Sequence, residues 1–181
     1  REIVVQKDED GKTGFARFSK KEDVVIALLK NFDNKEMLYM IFGPACSDGM
    51  IKLVKMILEH QNNPEIFSFK DNKGKTAFIH ACYGGSIEIV QMILDRQSNQ
   101  EILALKDNEG KTGFIHAYLA HRKEVISLLL NHPCNEDMLN ISFHFACDSG
   151  LINVVQSLID LPTNEKIMAS KDENEEKEKK E

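Results

Sequence analysis

The sequence repeats itself at a fixed distance. The stretch KDNKGKTAFIHACYGGSIEIVQMIL begins at Lys70 and returns 36 residues later, at Lys106, as KDNEGKTGFIHAYLAHRKEVISLLL. A period of about 20 to 50 residues is typical of a solenoid, in which each unit stacks only on its neighbours. Such an array presents an extended surface, so the repeat predicts a protein that binds other molecules.

Weaker copies align with these two when one phenylalanine of each unit serves as the anchor. An alanine follows three residues after the anchor, and branched aliphatic residues follow at twelve and sixteen. The aligned anchors are Phe42, Phe78, Phe114 and Phe143, and a further copy opens at Asp8 and ends near Leu29. We expect one all-α domain over residues 1–169, with repeats at about 7–38, 39–69, 70–105, 106–139 and 140–169, here called units 1 to 5.

A turn motif is present in some units and missing from others. The pattern D-x-x-G-x-T occurs at Asp8, Asp71 and Asp107 but is absent before Phe42 and Phe143, where the spacing is seven residues shorter. Aspartate at the first position and glycine at the fourth are typical of a type I turn, and the threonine is placed to cap the next helix. We expect hairpins in units 1, 3 and 4 only, so that two adjacent tips stand beside two gaps in a notched concave face.

A second element recurs in all units. An asparagine lies five residues past the last aliphatic position and is followed at a fixed offset by an apolar pair. We expect a short extra turn that buries this pair under the next repeat. The asparagines are Asn34, Asn63, Asn99, Asn135 and Asn164, and the pairs are Met37–Leu38, Ile66–Phe67, Ile102–Leu103, Met138–Leu139 and Ile167–Met168.

Composition excludes several classes of function. The net charge is −6 and no cluster of Lys or Arg follows a helix face, which argues against nucleic-acid binding. No apolar run in the sequence approaches the roughly 18 to 20 residues of a membrane span, and its first residues show no signal-peptide pattern. We expect no membrane insertion, a monomer, and an intracellular, cytoplasmic location. Residues 170–181 are almost all charged, and we expect a disordered tail.

The cysteines and histidines are the candidates for chemistry. Cys46, Cys82 and Cys147 share one repeat position, where we expect small core residues too far apart for a disulfide and therefore free thiols. A zinc site at Cys82 with His80 is the alternative, but no C-x-x-C or H-x-x-x-H pair is present. A solenoid is also expected to lack the deep pocket that a Cys–His nucleophile requires. We therefore expect no metal, no cofactor and no enzymatic activity.

The unit resembles the ankyrin repeat. That family's pattern D-x-x-G-x-T-P-L-H-x-A, then a glycine, then V-V-x-x-L-L, is matched by Asp71, Gly74, Thr76, Phe78, Ala81, Gly85, Ile89, Val90, Ile93 and Leu94. The chain departs from the pattern at the family's proline, which is Ala77 or Gly113 here. It also departs at the family's histidine, because His80 and His116 lie one residue further on.

The resemblance implies an all-α solenoid that binds a protein or peptide through its concave face. Carried over by position, the implied contacts are Asn72, Lys73, Lys75, Tyr83, Asn108, Glu109, Lys111 and Leu119. Tyr83 and Leu119 are either the apolar anchors of that surface or packing residues against the next unit. An acidic or amphipathic peptide is the partner that the lysines favour. The alternative function is a regulatory or spacer module of a larger protein, such as an intracellular channel region or a host-directed effector.

Overall fold

A computed structural model describes residues 35–60, 65–96, 101–133 and 136–161 of the chain. Every regular element within these ranges is a helix, which confirms the predicted all-α class. The helices are α1 (Lys35–Ser47), α2 (Ile51–His60), α3 (Glu65–Ser68), α4 (Ala77–Gly84), α5 (Ile87–Arg96), α6 (Glu101–Ala104), α7 (Gly113–Leu119), α8 (Lys123–Leu130), α9 (Glu136–Asp148) and α10 (Ile152–Ile159).

The helices form two stacked rows. The inner row runs α1, α4, α7, α9, with each helix packed on the next, and the outer row includes α2, α5 and α8. The anchor phenylalanines of the first three inner helices are fully buried, and Ile93 and Leu94 of α5 are buried as well. Each unit therefore buries its apolar face only by stacking, which confirms the solenoid architecture.

Turn chemistry sets the ends of the inner helices. Thr76 Oγ1 accepts a hydrogen bond from Ile79 N at 3.3 Å, and Thr112 Oγ1 accepts one from Ile115 N at 3.4 Å, so both predicted caps are confirmed. Helix α4 is capped at its C-terminal end by Gly85, which has a φ of 89°. His121 occupies the same position in unit 4 with a φ of 57°, a left-handed conformation that costs a non-glycine residue free energy.

The predicted extra turn takes two forms. In the segments before units 3 and 4 it is a separate one-turn helix, α3 or α6, and the pairs Ile66–Phe67 and Ile102–Leu103 are buried as expected. Before units 2 and 5 the turn is not a separate element but is continuous with the inner helix, in the thirteen-residue helices α1 and α9. With the hairpin missing, no residues remain to break the helix between the two segments.

Several predictions concern residues outside the described ranges. These are the hairpin and helices of unit 1, the five asparagines, the pair Ile167–Met168, the charged tail at 170–181, and Cys134, which the sequence places in a loop without an evident disulfide partner.

Candidate protein-interaction surface

The two described hairpins, at 70–75 and 106–111, are built in the same way. The carboxylate of Asp71 accepts hydrogen bonds at Oδ1 from the amides of Lys73 and Lys75, at 2.8 and 2.9 Å. Asp107 accepts equivalent bonds from Glu109 and Lys111. Each turn closes with a bond from the glycine amide to the carbonyl of the aspartate, 2.9 Å at Gly74, which confirms the predicted turns.

A histidine connects each hairpin to the inner helix that follows it, a contact that sequence reasoning missed. His80 Nε2 lies 3.0 Å from Asp71 Oδ2, and His116 Nε2 lies 2.7 Å from Asp107 Oδ2. A carboxylate can only accept, so the imidazole donates from Nε2 in both pairs. The sequence signal that could have revealed these contacts is that the histidine follows the aspartate by nine residues in both units.

Burial determines the protonation state of the His116–Asp107 pair. Burial is the largest influence on His116 and holds its pKa below 6.5, although the hydrogen bond to Asp107 acts in the opposite direction. Burial raises the pKa of Asp107, but hydrogen bonds from His116, Lys111 and Glu109 together outweigh it, so this pKa lies below 3.8. The pair is therefore a neutral imidazole donating to an ionised carboxylate.

We expect stability to fall as the pH drops below 6.5, because the unfolded chain then binds a proton at His116 more readily than the folded chain. The free energy of unfolding continues to fall until the pH lies below the pKa that His116 has in the folded protein. The pKa values of Asp71 and Asp107 are also lower in the folded chain than their ordinary value of 3.8. Below pH 3.8 the protonation of these two carboxylates therefore lowers the free energy of unfolding further. Urea unfolding from about pH 7.5 to about pH 4.5 would measure the first step.

The control for this pH step is His116→Gln, whose amide nitrogen can still donate to Asp107 but does not titrate. The difference in unfolding free energy between the wild type and this variant should change with pH below 6.5. A difference that stays constant over that range would contradict the assigned protonation.

The hairpins are joined to each other. Asn108 N donates to Lys73 O at 3.0 Å, Asn108 Nδ2 donates to Asn72 O at 3.2 Å, and Lys70 Nζ donates to Lys106 O at 2.7 Å. Gly74 has a φ of 75°, and a Cβ there would lie 2.3 Å from the side-chain oxygen of Asn108. The structure thus places Asn72 and Asn108 at a bridge between the tips, to which Asn108 contributes its side chain and Asn72 its backbone carbonyl.

Tyr83 and Leu119, the predicted apolar anchors, are both exposed, at 49% and 45% of their surface. Tyr83 contacts both Lys75, whose ammonium is 5.4 Å from the centre of its ring, and His116, whose ring is nearly perpendicular to it with the ring centres 6.4 Å apart. It therefore contacts the next unit and still presents half of its surface. We call the hairpins 70–75 and 106–111 together with Tyr83 and Leu119 the hairpin face.

The tips carry mixed charge, as their sequences indicate. Lys73 and Glu109 are exposed, while Lys75 and Lys111 are partly covered. Lys111 forms an ion pair with Glu109 beside it. In the tip of unit 4 the charge of the lysine is therefore paired within the same hairpin. The lysines of unit 3, by contrast, form no ion pair with a carboxylate among the described residues.

An open cavity of about 350 Å³ lies where unit 2 lacks a hairpin, at one of the gaps expected in the concave face. Its walls are Tyr39, Met40, Gly43 and Pro44 of α1 on one side and the hairpin at 70–75 with His80 on the other. We call it the notch. Among the described residues that line it there is no serine, threonine or cysteine, so the His80–Asp71 pair has no nucleophile there to activate. The same pair recurs at His116 and Asp107, which indicates a structural role.

The cysteines behave as core residues with one exception. Cys46 and Cys82 are buried free thiols, and burial raises the pKa of both. Cys147 is exposed, so its predicted burial is wrong. The inner helix of the next unit covers Cys46 and Cys82, whereas the residues that follow unit 5 lie outside the described ranges. No group of three or more His, Cys, Asp or Glu within the described ranges is arranged to hold a metal ion.

Comparisons with known proteins bear on the first part of the array. A family model for ankyrin repeats, three copies long, matches residues 14–104, just over half of the chain. No curated protein matches the sequence. Across the described ranges, no helix has the length and apolar character needed to cross a bilayer.

Proposed function

Because the chain belongs to the ankyrin-repeat family, whose members generally act as protein-interaction modules, we propose that it is a non-enzymatic module that binds a partner protein or peptide on its hairpin face. The observation that carries this proposal is the exposure of Tyr83 and Leu119 at equivalent positions of adjacent units. Large apolar side chains at such sites contribute disproportionately to protein binding.

The backbone of the hairpin face supports the same conclusion. The tips are braced by hydrogen bonds between units 3 and 4, and the histidine–aspartate pairs fix each tip to its inner helix. A surface that is ordered before binding loses little conformational entropy when a partner docks. Lys73 and Asn72 at the tip are exposed polar residues suited to the rim of such an interface.

We expect the double variant Tyr83→Ala, Leu119→Ala to lose partner capture while its melting temperature changes by only about a few degrees. The immobilised protein is exposed to a cell extract, and bound proteins are quantified against the double variant. The matched control is Glu88→Ala, Lys123→Ala, two exposed residues on the outer helices α5 and α8.

Proteins that the wild type and the outer-helix control both retain, but the Tyr83→Ala, Leu119→Ala variant does not, would support the hairpin face. Capture that survives the Tyr83 and Leu119 changes but fails with the Glu88 and Lys123 changes would place the interface on the outer helices. That result would overturn this assignment.

A further inference from the structure

We propose that the notch receives an apolar side chain of the partner, in a peptide segment that carries acidic residues next to that side chain. This inference rests on the proposed function and specifies the chemistry of the partner.

The notch exists because unit 2 lacks two features that units 3 and 4 have. Its hairpin is missing, and Gly43 stands where units 3 and 4 place the buried side chains of Ile79 and Ile115. The imidazole of His80 lies against this glycine, since a Cβ there would be 2.8 Å from His80 Cδ2. The cavity is therefore part of the way units 2 and 3 pack together.

The interior of the notch is apolar. Buried Phe42, Ile66 and Ala77 contribute to its lining, and Met40 and Phe69 are exposed at its edge. Tyr39 packs on Phe69 with ring centres 5.4 Å apart, which makes the edge aromatic. A volume of about 350 Å³ is at the lower end of the range for ligand sites and suits one or two side chains.

The charges around the notch favour a partner with acidic residues. Lys70 and Lys75 lie on its wall, and neither ammonium pairs with a carboxylate in the part of the chain that the structure describes. The carboxylate of Asp71 also faces this region, but Oδ1 accepts two backbone amides and Oδ2 accepts from His80. Two ammonium groups without a carboxylate partner among the described residues, against one carboxylate that is already hydrogen-bonded, favour acidic residues beside the docked side chain, because charge complementarity raises the association rate and excludes basic partners.

The probe is a phage-displayed library of random nonapeptides, selected on the immobilised protein and sequenced. We expect selected peptides to share one Leu, Met or Phe with Asp or Glu within two residues of it. A synthetic copy of the leading peptide is then titrated by fluorescence polarisation against the wild type and the variants.

Two variants test the two parts of the inference. Met40→Glu places a carboxylate at the mouth and should weaken binding at least tenfold, while Lys70→Glu should weaken it several-fold and remove most of its salt dependence. The matched controls are Ile87→Glu, which changes a side chain of nearly equal exposure on α5 (44% against 45% for Met40), and Lys55→Glu on α2. Both controls should bind within twofold of the wild type.

The outcomes separate this inference from the proposed function. Selected peptides without the apolar and acidic pattern, no selected peptide at all, or binding unaffected by Met40→Glu would overturn the notch assignment. Loss of peptide binding in Tyr83→Ala, Leu119→Ala but not in Met40→Glu would leave the hairpin face standing and remove the notch. The reverse result would support the notch and count against the hairpin face.

Discussion

Replacing Phe78 with alanine is expected to lower the free energy of unfolding by about 3 to 5 kcal/mol. The ring is fully buried in α4, in the middle of the described array. It also lies against the next unit, because a Cβ at Gly113 would be 2.7 Å from Phe78 Cε1. The substitution would therefore open a cavity at the junction of units 3 and 4 as well as within unit 3.

A solenoid is held together by contacts between neighbours, so a weakened junction should also reduce cooperativity. Urea unfolding followed by circular dichroism should show a lower midpoint and a smaller slope. The control is Ile152→Ala, which removes a side chain that is 78% exposed and should change stability by about 0.5 kcal/mol or less. A Phe78→Ala protein as stable as this control would show that the inner-row register is wrong.

The repeat pattern predicted the fold because each position has a fixed physical requirement. The anchor phenylalanine, the small residue three positions later and the capping threonine are local signals that recur at one spacing, and all three are confirmed in units 3 and 4. The missing hairpins were predictable from the seven-residue shorter spacing before Phe42 and Phe143. The fusion of the extra turn with α1 and α9 was not, because it depends on the absence of a break in the helix.

The candidate surface was harder to predict than the fold. Sequence position placed Tyr83 and Leu119 at the end of the inner helix, but only the structure shows that half of each side chain is exposed. The histidine–aspartate pairs were missed because the family pattern has its histidine one residue earlier. The notch was predicted as a gap between tips, whereas its apolar lining depends on how His80 packs against Gly43.

The two histidine–aspartate pairs provide a matched test of burial, and we expect Asp107→Ala to cost about 3 kcal/mol or more, because three donors lose their acceptor at about 1 to 3 kcal/mol each. This change leaves His116 and the amides of Glu109 and Lys111 without their acceptor in a buried site. The equivalent change at Asp71 removes the same three bonds but should cost only about 1 to 2 kcal/mol. The reason is exposure, since the side chain of Asp107 is 2% exposed and that of Asp71 is 34% exposed, so water can replace the lost acceptor at Asp71.

Unfolding of both variants in urea at neutral pH would measure the two losses. The double variant Asp107→Ala, His116→Ala should lose less than the sum of the two single variants, because removing the imidazole also removes the donor left unpaired. Equal losses at Asp71 and Asp107 would mean that burial does not set the strength of the pair. In that case the hairpin of unit 4 would be held mainly by its bonds to unit 3, through Asn108 and Lys106.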